Sequence, residues 1–534
     1  MPDMKKFFHI SQSTPCRKQY LSVCFLLLVG VMRFQIFAAV ETAANGKPWN
    51  ILFITMDDMN WDSMGAYGNL IPGITPHMDQ LAAEGLRFEY AFNQTSSCVP
   101  SRNSYQTGRY PHTVGMYSFY NVQADFQILP QRLRDAGYFT ACVNKPRDTS
   151  ITDDYDLYWD YYQLMKGPEK RSSDFYAEHV RKALSQAKDA GAPFYCVVNI
   201  ADPHKPLFND PQSVKSGFDD FRPSTVFSVD DVTVPGFLPE HPEIRKELRN
   251  YYNSVKRGDD CVGAVLEALK QSGLEENTAV LFISDHGMPL PYAKSSLYPD
   301  GLRTPWVLRW PGRVSPGSVD STHLISAIDF KPTVLDMVGV STPDGVEGRS
   351  ILPLLQGKTD ASRTHIFAEF NDNAGGIPFP MRAIHTKQNA YIFNAWGTGE
   401  NKFISASTWH LSEKVMKRES AKNPAIAERY QFLIYRTVEE YYDLERDPYC
   451  LQNLIDDPFS QAQISGMRKR MREWMVETDD YLLEAFDVKG DLGRLQEIYT
   501  HLDEEAIQRA ETLQWKRYKN RVGGTGKNTE LFRK

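Results

Sequence analysis

"NILFIT", Asn50 to Thr55, is an apolar run of strand length that continues through Met56 onto two carboxylates, Asp57 and Asp58. Apolar residues unbroken over so few positions read as a strand buried on both faces, the kind found inside a parallel sheet covered by helices. Two further stretches repeat the pattern: "PFYCVVNI", Pro193 to Ile200, runs into Asp202 and His204, and "AVLFIS", Ala279 to Ser284, runs into Asp285 and His286. Helical signals lie between them. "TPHMDQLAAEG" has Thr75 as N-cap, Pro76 at the first helical position and Gly85 as the stop, and about His241 to Gly273 reads as one long helix or two abutting ones. Strands alternating with helices predict an α/β sheet covered on both faces. In open sheets of this class the carboxyl ends of the strands form the ligand crevice, so the three polar strand ends are expected to converge on one site.

The chain has 534 residues, 42% hydrophobic and 24% charged, enough for a large core and two domains. A formal net charge of −7 argues against nucleic acid as the main partner, because phosphate binding needs a basic surface. Near the N-terminus, Lys5, Lys6, Arg17 and Lys18 precede the apolar run Leu21 to Met32, with small residues around Ala38 to Ala44. This resembles a secretory signal peptide over residues 1–44; the apolar core is short for a membrane span and is interrupted by Arg33. An uncleaved anchor is the alternative. The mature protein is accordingly read as exported to the periplasm or beyond, or lysosomal in a eukaryote, with no stable membrane span. Cys16 and Cys24 fall in that leader, leaving Cys98, Cys142, Cys196, Cys261 and Cys450. One of these five is left over if the others pair, and Cys98 is the choice. Past Ser341 to Glu347 the rhythm changes to short strand-like runs, "HIFAEF", "MRAIHT", "AYIFNAW" and "EEYYDLERDP", and a helix through Met467 to Glu477. The expected organisation is a catalytic domain over 45–360, a smaller α+β domain over 361–490, and a charged helical tail over 491–534 with a frayed end.

An isolated Asp-Asp pair is most often a solvated turn, and neighbouring strand residues reach one ion only if the chain bends there. Asp285 and His286 at the end of a second buried strand change the balance: together the four offer mostly hard oxygen ligands, suited to Ca²⁺ or Mg²⁺, with one nitrogen that favours softer metals. Cys98 sits in "TSSCVPSRNSYQTG", Thr95 to Gly108, and is expected to be exposed in a polar loop that turns into a short helix at Pro100 and Ser101. Arg102, four residues on, shares its helical face. A helix N-terminus and a guanidinium both favour an anion at that point.

Cys98-Val99-Pro100-Ser101-Arg102, followed by Thr107-Gly108-Arg109, resembles the Cys-x-Pro-Ser-Arg signature of the type I sulfatases, with an Asp-Asp strand end before it and a Ser-Asp-x-Gly strand end after it in the family's order. The resemblance runs from about Pro48 to about Glu484. It implies an alkaline-phosphatase-like fold: a large mixed, mostly parallel sheet covered by helices, plus a smaller C-terminal α+β domain with an antiparallel sheet. It also implies that Cys98 is converted to formylglycine by a formylglycine-generating or radical maturase enzyme. The aldehyde would hydrate to a diol, one hydroxyl attacking sulfur and the other driving release of sulfate as the aldehyde reforms. Asp57, Asp58, Asp285 and His286 match the ligands of one Ca²⁺ per chain, completed by residue 98. Arg102 matches the residue that holds the diol, Lys145 and Lys294 the sulfate-binding cations, and His204 in "ADPHKP" the group that protonates the leaving group or binds sulfate. "SDHGMPLPYAKSSLY", "SSCVPSR", "GMY" and "PMR" look most like the N-sulfoglucosamine sulfohydrolase branch. That branch implies hydrolysis of a sulfated saccharide, first of all the N-sulfate of glucosamine in heparan-type glycans; an O-sulfatase, a phosphonate or phosphodiester hydrolase of the same superfamily, and an impaired glycan binder stay open. A homodimer is compatible with the sequence.

One departure stands out. The family usually has Gly-Lys-x-His around the first lysine, whereas this chain reads Asn144-Lys145-Pro146-Arg147. Arginine stays protonated and is a poor base, so either another group, with His112 as the candidate, replaces the missing histidine, or the intermediate decays slowly, or the substrate range has shifted. His112, Arg147, Glu369 and Arg382 are the expected substrate-side residues, with Asn371, Asp372 and Met381 beside them.

Overall fold

The computed structural model describes residues 46–513. The expected leader and the frayed end of the tail lie outside them. Among the described residues no helix is long and apolar enough to cross a membrane.

Eight strands form the main sheet in the order β4-β3-β5-β1-β6-β7-β2-β8. They span Asn50–Asp57 (β1), Leu86–Phe92 (β2), Phe139–Val143 (β3), Tyr161–Gln163 (β4), Phe194–Pro203 (β5), Thr278–Ser284 (β6), Trp306–Arg309 (β7) and Ser318–Ser326 (β8). Only β7 runs against its neighbours, pairing antiparallel with both β6 and β2. The central strand shows why its sequence is apolar throughout. Leu52, Ile54 and Met56 join one hydrophobic core and Ile51 and Phe53 the other, one on each face of the sheet, as the two-residue pleat requires. Helices seal both sides: Ser173–Asp189 and the single long helix Pro242–Gln271 pack into the first core, Cys98–Thr107 and Phe330–Met337 into the second.

A second sheet, antiparallel and four-stranded in the order β12-β11-β10-β9, follows in the C-terminal part: Ile366–Asp372 (β9), Pro378–His385 (β10), Asn389–Asn394 (β11) and Glu439–Asp443 (β12). Ile384, Tyr391, Phe393 and Tyr441 pack with Met471, Trp474 and Met475 of the helix Gln461–Glu477 into a core of its own. The last described helix, Leu492–Thr512, ties back through Arg509 to Asp372 at 2.9 Å. This is the architecture implied by the resemblance, a mostly parallel large sheet and a smaller antiparallel one.

Some local expectations need correction. Thr75 occupies the N-cap position of Pro76–Ala83 but makes no capping bond; its hydroxyl takes the Gly65 amide and donates to Asp79. The helix amides of His77 and Met78 are met instead by Asp259, at 3.1 and 2.9 Å, from a helix 182 and 181 positions away in sequence. Cys142, Cys196, Cys261 and Cys450 do not pair: all are free and buried, as is Cys98.

Candidate active site

The site forms where β1, β5 and β6 end, at the point where the strand order reverses about β1. The β1–β5 register shifts between Met56 and Asp57, and Asp58 adopts a left-handed φ of 69°. That is the bend two adjacent carboxylates need to face one point. The Asp58 amide then donates to Asp285 Oδ1 (3.0 Å) and the Asp285 amide to the Met56 carbonyl (3.1 Å), which clamps the two strand ends together.

Cys98 is the first residue of the helix Cys98–Thr107 and is buried, so the exposed loop expected from sequence is not what the fold provides. Its Sγ lies 3.3 Å from His286 Nε2 and 3.4 Å from Lys294 Nζ. Burial pushes the thiol pKa well up. Ligand atoms of Asp57, Asp58, Cys98 and His204 lie within 4.8 Å of one another, as do those of Asp57, Cys98, Asp285 and His286.

Three cations surround the three carboxylates. Arg102 lies 2.9 Å from Asp285 and 3.7 Å from Asp57, Lys294 lies 2.5 Å from Asp58, and Lys145 contacts Asp57 and, at 3.1 Å, Asp148. Burial alone would raise the Asp57 carboxyl, but Lys145, His204 and Arg102 outweigh it and hold the group well below its usual range. Asp58 is lowered in the same way, chiefly by Lys294 against burial. Asp285 goes the other way, because burial dominates there. His204 is half-buried beside this cluster; desolvation drives its imidazole down to about 4 despite Asp58 and Asp57.

The residues fit a divalent cation. Both Asp57 oxygens and Asp285 Oδ2 are buried and meet only the Lys145 and Arg102 cations, in a set dominated by hard oxygens. His286 is oriented for the same role: its Nδ1 lies 3.0 Å from the Gly287 carbonyl, which can only accept, so Nδ1 carries the proton and Nε2 presents its lone pair to the site. Counting Asp148 with Asp57, Asp58 and Asp285, four carboxylates face three cations, and a divalent ion would leave the cluster at +1, a charge matched to an anionic substrate.

The remaining expected residues lie elsewhere in the site's surroundings. Arg147 is partly exposed, ion-paired with Asp153 at 3.3 Å and bonded to the Phe119 carbonyl at 3.0 Å. His112 joins Glu369, whose carboxylate also takes the His112 amide at 2.7 Å and outweighs burial to raise the imidazole pKa. Arg382, expected on the substrate side, is fully buried and forked onto Asp480 at 2.6 and 2.9 Å, with a third bond to Asn371 at 2.9 Å. Its guanidinium thus holds the second sheet to the turn after the helix Gln461–Glu477. Asn371 also donates to Glu369 at 2.9 Å, joining these residues into one buried polar cluster.

Sequence reasoning missed a supporting layer. Asp202 accepts from Arg171 (2.7 Å) and from Arg257 (2.8 and 3.0 Å), and Arg171 also donates to the backbone carbonyls of Ala201 and His204. Asn199 and Thr55, polar residues inside otherwise apolar strands, were the available signal for a second set of contacts to Arg102.

The sulfatase family model matches residues 49–340, and the model for the N-sulphoglucosamine sulphohydrolase C-terminal region matches residues 285–396. Human N-sulphoglucosamine sulphohydrolase is 29% identical over 473 residues, covering 81% of this chain and 91% of that protein. An ulvan-active sulfatase of Formosa agariphila is 26% identical over 492 residues, covering 83% and 77%. A solved structure of a protein in complex with its substrate D-glucosamine-2-N,6-O-disulfate has the same fold, with a TM-score of 0.61 at 20% identity over 82% of this chain and 99% of that one. With a family model that spans more than half of its length and takes in all three strand ends and the Cys98 helix, the chain belongs to the sulfatase family and is a sulfuric ester hydrolase.

Proposed function

We propose that the chain is an exported, calcium- and formylglycine-dependent sulfatase of sulfated saccharides, with the N-sulfate of glucosamine in heparan-type glycans as its substrate. The observation that carries this is Cys98: a buried thiol, held protonated, at the centre of three carboxylates and three cations. An aldehyde hydrate at this position would supply an oxygen nucleophile that a thiol does not. Because the side chain is enclosed in the folded protein, the maturing enzyme acts before the site closes.

Asp57, Asp58, Asp285 and His286 would hold the cation, which when bound would polarise the hydrated aldehyde of residue 98 and so supply a nucleophilic oxygen. The protein's own groups do the rest. Arg102, fixed against Asp285, lies on the residue-98 side and stabilises negative charge there. Lys145 and Lys294 neutralise the sulfuryl oxygens as charge builds. His204 Nδ1 donates to the Lys205 carbonyl at 2.8 Å, which leaves Nε2 to exchange a proton with the leaving nitrogen or oxygen. Support for the N-sulfate comes from the match to the N-sulphoglucosamine sulphohydrolase C-terminal region and from the human relative of that name.

The test is sulfate release by matured protein from N-sulfated glucosamine, 6-O-sulfated glucosamine and an aryl phosphate. Preference for the first is expected; dominant phosphate turnover would reverse the assignment. A second reading, a sulfated-glycan binder that turns over slowly, is favoured by Arg147 being ion-paired with Asp153 where the family has a histidine. Under that reading Arg147→His raises turnover strongly while saccharide binding is unchanged.

A further inference from the structure

Behind the site, a polar thread crosses the apolar strands. Asn199 interrupts the apolar run of β5, is completely buried, and uses both ends of its side-chain amide. Its Oδ1 accepts from Thr55 Oγ1 of β1 at 2.7 Å and from Arg102 Nη1 at 2.5 Å. Arg102 Nη1 also reaches Thr55 Oγ1 at 2.5 Å, closing a triangle. The Nδ2 end donates to the Asn144 carbonyl at 2.7 Å and to Thr149 Oγ1 at 3.1 Å, and Asn144 Nδ2 returns a bond to the Asn199 carbonyl at 2.8 Å. Asn144 and Lys145 are consecutive left-handed residues, with φ of 64° and 51°. A lysine resists that conformation because of its Cβ, and such a turn persists only where its surroundings over-determine it.

We propose that Asn199 is a positioning residue that sets Arg102 and Lys145 relative to each other through opposite ends of one amide. The inference rests on the reading that these two cations serve sulfate ester hydrolysis. The alternative, that Asn199 is a satisfied core amide, leaves unused its geometry: Arg102 comes from the Cys98–Thr107 helix and Lys145 from the turn after β3, and Asn199 bonds both the guanidinium and the turn. Catalytic groups held loosely lose rate steeply, so the amide's role is to keep two cations on separate elements at one spacing.

Asn199→Asp separates the two ends. The retained oxygen still accepts from Arg102 and Thr55, while the second oxygen now opposes the Asn144 carbonyl and releases the Lys145 turn. The experiment is a double-mutant cycle on sulfate release with matured, calcium-loaded protein: Asn199→Asp, Lys145→Met and both together, with formylglycine content measured for each. Asn199→Asp is expected to lower kcat/KM about 10- to 100-fold, and to add about threefold or less once Lys145 is Met, because the effect travels through that side chain. Full additivity of the two losses overturns the proposal. If Lys145→Met alone leaves turnover intact, the underlying reading fails first and the inference falls with it. Should Asn199→Asp not fold, Thr149→Val carries the same test: Thr149 Oγ1 accepts from Asn199 Nδ2 at 3.1 Å and donates to the Lys145 carbonyl at 3.0 Å, so its loss of kcat/KM should also shrink to about threefold or less in the Lys145→Met background. Unchanged turnover in Thr149→Val, or a loss that adds fully to that of Lys145→Met, counts against the proposal.

Discussion

Asp202→Asn tests the layer beneath His204. Asp202, Arg171 and Arg257 are buried, and the carboxylate carries three bonds: Oδ1 to Arg171 at 2.7 Å and to Arg257 at 3.0 Å, Oδ2 to Arg257 at 2.8 Å. Asparagine keeps the shape and one acceptor but removes the charge, and its Nδ2 would meet the Arg257 Nε–H donor to donor. Breaking a buried ion pair costs about 3–5 kcal/mol. Retaining Oδ1 puts the expected loss near the lower end, about 3 kcal/mol, a large part of the roughly 5–15 kcal/mol that holds a typical protein folded. Since Arg171 also bonds the His204 carbonyl, kcat/KM should fall about tenfold as well. Urea unfolding at fixed calcium reads the first effect as a lower midpoint at unchanged slope. Adding Arg257→Met should recover part of the loss, because one uncompensated guanidinium is removed. A midpoint shift worth less than about 0.5 kcal/mol, within the range of an ordinary surface change, or a deeper loss in the double variant, would refute the idea that this charge network holds the His204 loop.

Other outcomes follow from the same geometry. Cys98→Ala should abolish sulfate release with the circular dichroism spectrum unchanged; residual turnover above a few per cent would contradict a reaction at residue 98. Asp285→Asn should remove the calcium-dependent rise in Tm, which for a site saturated at about 100 Kd is worth about 2.7 kcal/mol; an equal rise in variant and parent would place the ion elsewhere. His385 is fully buried, and desolvation lowers its imidazole to about 4 against the pull of the Leu297 carbonyl. The unfolded chain takes up that proton near pH 6.5 and the native one does not, so stability is lost as pH falls from 6.5 to 4, on the order of 3 kcal/mol. His385→Gln should flatten that part of the stability profile, and an unchanged acid midpoint would sink the assignment.

The main sheet was legible because its signals are local. The unbroken apolar runs of β1, β5 and β6, each ending in Asp or His, report burial on both faces and a polar crevice at one end within a dozen residues apiece. Cys98, Pro100 and Arg102 likewise declare a helix start and a shared face through spacing alone. Chain folding decided what those residues meet. Cys98 reads as exposed because its neighbours are polar, yet those neighbours are buried with it: Ser101 bonds the Asp285 carbonyl and Arg102 bonds Thr55 and Asn199. Arg382 reads as a substrate contact until Asp480, 98 positions away, fills its fork. Asp259 caps a helix nearly two hundred positions upstream for the same reason. Periodicity and strand ends are properties of consecutive residues, whereas the partner of a buried charge is selected by desolvation across elements distant in sequence. The sequence by itself therefore determined the sheet and the polar residues gathered at its strand ends, and the tertiary structure alone decided which polar groups hold them in place.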